Sequence, residues 1–296
     1  SSQRHFSFQK INTMSNPGKF LLEGEDWELV SEGHLFTEGP AINRAGELFF
    51  TDLEGSKVWK VAAGGEVSLF QENTGQTNGL AFAPDGKTLY GCRRQPPSLI
   101  SWDIETGEET VVVTDVRPND VVVAADGTVY FSEPRTKQIW VIVPGEEAKV
   151  AGAGYNGVNG VVLSADQSLV LAADYGGRYV WSGQRREDGT LAAIQPYYHV
   201  HLPPAAVDTK SYADGMAVSE DGWLLVATAM GVQICDLPGR VHLIVPPPAG
   251  ERFPANLALH GDLLYATCGT KVFQRKVAVQ GAQAWDAPKV LAKPRL

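Results

Sequence analysis

The chain has 296 residues, 44% of them hydrophobic and 20% charged, with 31 glycines and 18 prolines, which allows a large core and many turns and argues against wholesale disorder. Its net charge of −9 repels phosphate backbones, so nucleic acid is not expected as a partner; a cation, or a small neutral or lactone-type molecule, fits better. Three cysteines (Cys92, Cys235, Cys268) without CxxC spacing make neither a disulfide framework nor a zinc cage, and no apolar run approaches the ~20 residues that span a bilayer.

Residues 1–19 read as a flexible N-terminal arm without the apolar core of an intact signal peptide. The expected compartment is therefore the cytoplasm, or the periplasm if a leader has been removed. Residues 20–296 read as one domain. Trp27–Val30 stands where a fourth strand would precede the first repeat. The repeat then runs along the chain: a polar starter, a short apolar strand, a tight turn and a second apolar strand. Its starters are Glu38, Asn78, Asn119, Asn159, Asp214 and Asn256. Turns follow at Ala45-Gly46, Asp85-Gly86, Asp126-Gly127, Asp166-Gln167, Asp221-Gly222 and Gly261-Asp262. Such turns join hairpin strands because they accept positive φ. A third strand carries Trp59, Trp102, Trp140, Trp181, Ile234 and Phe273, read as packing between repeats. A fourth strand follows, as at Thr110–Val113 and Val241–Ile244. Starter-to-starter intervals of 40, 41, 40, 55 and 42 residues predict an all-β, six-bladed β-propeller with four antiparallel strands per blade. The long interval marks an insertion within roughly 183–212. Trp27–Val30 is expected to close the ring on the last blade, with residues 285–291 as the competing closing strand.

Each starter opens an innermost strand, so the six should ring one mouth of the central channel. Asn and Asp before a strand also cap turns locally, but turn chemistry explains neither Glu38 before Gly39-Pro40 nor a ring mixing carboxylates with amides. Two facing buried carboxylates are costly without a cation, and oxygen-only donors suit a hard one, Ca²⁺ or Mg²⁺. An outer set (Asp52, Arg93, Glu133, Asp174, Thr228 and Thr267) ends the second strands, and most of it is expected to be structural. Arg117 should point to the same mouth.

Glu38-Gly39-Pro40, Arg117-Pro118-Asn119-Asp120, Asn159-Gly160 and Tyr212-Ala213-Asp214-Gly215, each on its own blade, resemble the regucalcin/gluconolactonase family of calcium-dependent propellers over about residues 27–277. The resemblance implies a metal held by Glu38, Asn159 and Asp214, with Asn119 near enough to share it. Arg117 and Asn119 match substrate-contacting positions of the family. Calcium is the implied ion, with Mg²⁺, Mn²⁺ or Zn²⁺ as substitutes. The implied activity is hydrolysis of a sugar-type lactone, with Asp214 as the proton acceptor. One departure is the stretch Gly91–Pro97, which lacks a histidine found in many bacterial gluconolactonases.

Alternatives are a phosphotriester hydrolase of the same fold and a non-catalytic, calcium-stabilised binding propeller. The G-x-G-x-x-G match at Gly152–Gly157 precedes a strand rather than a helix, which argues against a dinucleotide site. No G-x-S-x-G elbow is present. His199 and His201 share one face of an outer strand and form a weaker metal candidate. His34 reads as a solvated loop residue. No membrane partner is expected, and monomer and homodimer both stay open.

Overall fold

The structure, a computed structural model, describes residues 20–204 and 210–291. The arm expected over residues 1–19 lies outside the described residues, as does part of the insertion, residues 205–209. Twenty-four strands form six sheets of four, and no helix occurs among the described residues. Each of the first five blades is one antiparallel meander in chain order; the first, for example, is Thr37–Ile42, Leu48–Asp52, Lys57–Val61 and Val67–Glu72. The sixth takes Asn256–His260, Leu263–Cys268 and Lys271–Lys276 from the C-terminal region, and its outer strand, Glu28–Ser31, from the N-terminal side. Glu28 faces Gln274 and Leu29 faces Phe273 across that seam. Trp27 stands just outside the strand, its indole N–H donating to the Pro246 carbonyl at 2.9 Å.

The hairpin turns behave as their residue types require. Gly46, Gly86, Gly127 and Gly222 have φ of 77°, 71°, 84° and 91°, a region open to glycine at no steric cost. In the fourth blade Gln167 takes φ 56° instead.

The apolar residues gather into six clusters, one at each blade–blade junction. Phe49 and Val58 of blade one meet Leu80, Leu89 and Trp102 of blade two, and Val272 of blade six meets Phe50 and Val61 of blade one. The third-strand aromatics sit in these seams as expected: Trp102 is fully buried, and Trp140 stacks on Phe131 with centroids 6.0 Å apart. Outer strands occupy the positions read from sequence, Glu109–Thr114 and Val241–Val245 among them. The extra length of the fourth repeat lengthens its outer hairpin, Tyr179–Arg185 and Leu191–His199, before the loop to blade five.

Residues 285–291 do not add a strand to blade six. Instead the C-terminal segment crosses the end of the channel opposite the starters. Ala282 N–H donates to the Val218 carbonyl at 2.9 Å and Lys289 N–H to the Ala165 carbonyl at 2.8 Å. The Gln283 amide donates to the Leu259 carbonyl at 2.5 Å. The guanidinium of Arg44 lies 4.4 Å from the Trp285 ring. The closing slot is already filled by Glu28–Ser31, so the tail is free to cap the channel.

Candidate active site at the channel mouth

The starters are held by a repeated backbone device. The N–H groups of Asn119, Asn159 and Asp214 donate to the carbonyls of Ser132, Ala173 and Ala227 on the second strand of their own blade, at 2.9, 2.8 and 3.0 Å. Neighbouring blades are then pressed together at the residue after the starter. A Cβ on Gly39 would come within 2.2 Å of the Asn78 carbonyl oxygen, one on Gly160 within 2.2 Å of the Asp214 carbonyl oxygen, and one on Gly215 within 1.8 Å of Asn256 Oδ1. Glycine therefore follows these starters because the next blade's starter occupies the space of a side chain. Pro40, which has no N–H to give a ladder, sits at the register shift between Glu38 and Ala41.

This packing brings the six starters to one mouth. Glu38, Asn78 and Asn256 are buried, while Asn119, Asn159 and Asp214 are half-buried. Glu38 Oε2 accepts from Gly39 N–H at 2.9 Å and from the Asn256 amide at 3.1 Å. Asn159 Oδ1 is buried with no hydrogen-bond partner among the described residues. Burial raises the Glu38 carboxyl above its ordinary range, against the opposing pull of Gly39 N–H, the Asn256 amide and the more distant Arg94. Asp214 is raised well above its ordinary value, first by burial and then by the charges of Glu38 and Asp120, with Arg252 opposing. Asp120, next to its starter, is a third carboxyl in this group. It accepts from Val161 N–H at 2.9 Å and is pushed up to about 7 by burial, with Glu38 adding to the rise and Val161 N–H opposing it.

No three His, Cys, Asp or Glu side chains among the described residues converge as a metal cluster; the ring is two carboxylates joined by amide oxygens. That donor set fits a hard divalent cation. An amide oxygen left without a donor and two carboxylates whose charges oppose each other are both relieved by one positive ion. Glu38, Asn159 and Asp214 carry the oxygens that could hold one.

Two contrasting walls flank the mouth. On blades two and three a pocket of about 450 Å³ is lined by Gln76, Arg94, Gln95, Arg117, Asn119 and Arg135. Arg117 is exposed and makes no ion pair among the described residues, with Asp120 and Glu133 turned elsewhere. Opposite, Tyr175 and Tyr212 meet edge to face at 5.1 Å, Tyr212 leans on Phe253 at 5.9 Å, and the Arg252 guanidinium lies 5.2 Å from Phe253. Tyr175 is raised first by burial and next by the charge of Asp214, so this aromatic wall borders the ring. Below the ring a second cavity of about 130 Å³, bordered by Asp120 and Asn256, ends on Ala284 and Trp285 of the tail.

Other sequence-derived candidates take structural roles. Asp52 Oδ1 accepts from the N–H groups of Leu35 and Phe36 at 3.0 Å, Asp174 accepts from the Asn156 amide, Glu133 from the Thr136 hydroxyl, and the Thr228 hydroxyl donates to the Gly231 carbonyl. Arg93 pairs with Glu109 at 2.6 Å. His34 is not a solvated loop residue: it is buried, bonded to Ser31 Oγ at 2.7 Å and packed edge-on against Phe50. His199 lies on the outer strand of blade four with its ring tilted on Tyr179. Gly152 ends a strand and no helix follows it, so no dinucleotide turn forms. Asp120, Arg94, Arg135 and Gln76 were not singled out by the repeat. Their signal is positional: Asp120 replaces the glycine after a starter, and Arg94 and Arg135 follow second-strand ends.

No curated protein matches the chain by sequence. Among solved structures, a gluconolactonase from Xanthomonas campestris superposes with a TM-score of 0.77 at 21% identity, covering 87% of this chain and 91% of its own. The calcium-binding protein regucalcin from Agrobacterium tumefaciens gives 0.71 at 14% identity, covering 90% and 98%. Virginiamycin B lyase from Staphylococcus aureus gives 0.62 at 12% identity, covering 87% and 99%. At these identities the likeness is one of fold. Residues 36–268 match the family model described as the SMP-30/Gluconolactonase/LRE-like region, and the chain belongs to that family.

Proposed function

We propose that this propeller is a divalent-metal-dependent lactonase that opens a sugar-type lactone at the mouth of its channel. The observation that carries the reading is the pairing of Glu38 and Asp214 with the unpartnered amide oxygen of Asn159, an all-oxygen donor set in a family that includes gluconolactonases. Calcium is the ion proposed; when bound it would polarise the lactone carbonyl as a Lewis acid. Glu38, Asn159 and Asp214 would hold it, with Asn119 beside them. A carboxylate has two oxygens, so Asp214 can bind through one and take the proton of the attacking water on the other. The water oxygen bonds to the carbonyl carbon, the ring C–O bond breaks, and the leaving oxygen gains a proton, giving a hydroxy acid. Arg117 and Asn119 would orient ring hydroxyls and donate to the developing oxyanion.

A pH-indicator assay over a panel of lactones, with and without EDTA, tests this. Hydrolysis should be lost on chelation and restored by calcium. Asp214→Asn should weaken both calcium binding and turnover. Arg117→Ala should lower kcat/KM by roughly 30- to 1000-fold while calcium-dependent melting persists, because it removes a charged donor to substrate and no metal ligand. Turnover indifferent to EDTA and to Asp214→Asn would sink the reading. Hydrolysis of phosphotriesters but no lactone would transfer the same site to the phosphotriesterase alternative. Calcium-dependent stability with no hydrolysis at all would leave a binding propeller.

A further inference from the structure

The pocket on blades two and three has a charge that a neutral lactone does not need. The chain carries a net charge of −9, yet Arg94, Arg117 and Arg135 line one 450 Å³ space with no carboxylate among its walls. The acids nearby do not neutralise it. Glu54 reaches Arg94 at 3.7 Å, but both side chains are about half exposed, and such pairs contribute little. Glu133, which precedes Pro134, is buried and engaged by the Thr136 hydroxyl. Arg117 and Arg135 form no ion pair among the described residues. The remaining walls, Gln76, Gln95 and Asn119, supply neutral amides, and the Gln95 amide donates to Gln76 Oε1 at 3.0 Å, which fixes their orientation.

One arginine is also held for use. Arg117 precedes the buried Pro118, which restricts its backbone to extended conformations. A prefixed backbone reduces the ordering cost when a ligand is gripped. Three like charges gathered in one concavity repel one another until an anion arrives, and the planar guanidinium fork matches a carboxylate or phosphate with two parallel hydrogen bonds. Asn119 belongs both to this pocket and to the ring. A ligand whose reacting carbonyl lies at the ring and whose ring face lies on the Tyr175–Tyr212 side would therefore direct its far substituent toward the arginines.

We infer that the substrate is an anionic lactone, whose carboxylate or phosphate substituent, remote from the ester, is bound by Arg94 and Arg135, while Arg117, on the same pocket wall, serves the lactone ring. The inference rests on the lactonase reading for its reaction, but not for its binding site. Arg94 and Arg135 are specificity residues here; they touch the substituent and not the reacting atoms.

The test compares δ-gluconolactone, its 6-phosphate and a glucaric acid lactone as substrates, and titrates gluconate, 6-phosphogluconate and glucarate by calorimetry in EDTA. At least one anionic lactone should exceed δ-gluconolactone at least tenfold in kcat/KM, with the advantage shrinking as NaCl is raised. Which one does so separates phosphate from carboxylate. The matching open-chain acid, glucarate or 6-phosphogluconate, should bind at least tenfold tighter than gluconate without metal. Arg135→Ala and Arg94→Ala should each reduce both preferences several-fold, and Arg135→Lys should restore them only in part. These side chains are exposed, and unchanged melting curves verify folding. Equal kcat/KM across the lactones and equal affinity across the acids would overturn the inference. If no lactone is hydrolysed but the preference for glucarate or 6-phosphogluconate over gluconate and its arginine dependence persist, the lactonase reading fails and the anion subsite stands.

Discussion

Gly160 shows how one missing side chain sets the distance between two functional residues. It follows Asn159, and its Cα approaches the Asp214 carbonyl so closely that a Cβ would lie 2.2 Å from that oxygen and 2.9 Å from its carbon. Both neighbours are backbone, so nothing can swing aside. The residue has no positive φ, so its glycine is required by space and not by conformation. Gly160→Ala should cost about 1–3 kcal/mol, as overpacking does, and it should also push blade five, with Asp214, away from Asn159. Ala at Gly154, which has φ 91° but open space around it, provides a contrast that strains the backbone without touching the ring. The expectation is checked by melting curves and calcium titration of both variants. Lost stability in both with weakened calcium binding only in Gly160→Ala is the predicted pattern; calcium affinity preserved in Gly160→Ala would show that the spacing of the two starters is not critical.

The turn of blade four separates what could be read in the sequence from what could not. Hairpins with glycine at the turn are visible because positive φ leaves a residue-type signature, and the starters and Trp27–Val30 closure were legible for the same reason, being periodic. Asp166-Gln167 fits that period but departs from its chemistry. The reason appears only in three dimensions: the Gln167 amide donates to the carbonyls of Ala284 at 2.7 Å and Asp286 at 2.9 Å, over a hundred residues away, and its Oε1 accepts from Ala125 N–H. The capping role of residues 282–289 was likewise invisible, since non-repetitive tail contacts carry no period. Arg117 was legible at the mouth, but its sharing of a pocket with Arg94 and Arg135 was not, because it arises only from blades two and three being neighbours. Gln167→Gly would relieve the left-handed backbone, a gain near 0.5–1 kcal/mol. It would also remove two hydrogen bonds to the tail at about 1 kcal/mol each, leaving the carbonyls of the half-buried Ala284 and Asp286 without these donors. Net destabilisation of about 1–2 kcal/mol is therefore expected. A rise in melting temperature would show that the turn conformation outweighs the tail tether.

At the scale of the whole molecule, six blades converge on one axis, and the residues that meet there set the pH behaviour of the entire ring. Glu38 and Asp214 are raised by burial, Asp214 also by the charge of Glu38, and Asp120 is pushed up to about 7. A carboxyl raised in the folded state holds its proton more firmly there than in the unfolded chain. Its contribution to stability is therefore complete below the unfolded value, 3.8 for Asp120, and is lost as pH rises through the folded value. Metal-free protein should lose stability on the order of a few kcal/mol through this window, since each tenfold gain in proton affinity on folding is equivalent to about 1.4 kcal/mol. The buried His34 and half-buried His260, whose values burial lowers below 6.5, act in the opposite sense, adding stability as pH rises toward 6.5. Comparing chelated with calcium-loaded protein at each pH cancels them. Calcium binds the deprotonated ring and stabilises the folded state by mass action, about 2.7 kcal/mol at a hundred times its dissociation constant. The rise in melting temperature on adding calcium should therefore grow from pH 5.5 to pH 8. Asp120→Asn should flatten the decline of the metal-free protein, because it removes a titrating charge while keeping an oxygen to accept from Val161 N–H. Glu38→Gln should shrink the calcium increment at every pH, with an affinity loss of about tenfold or more. A calcium increment that is constant over this range, or that Glu38→Gln leaves at its wild-type size, would mean that the cation does not sit among these carboxylates.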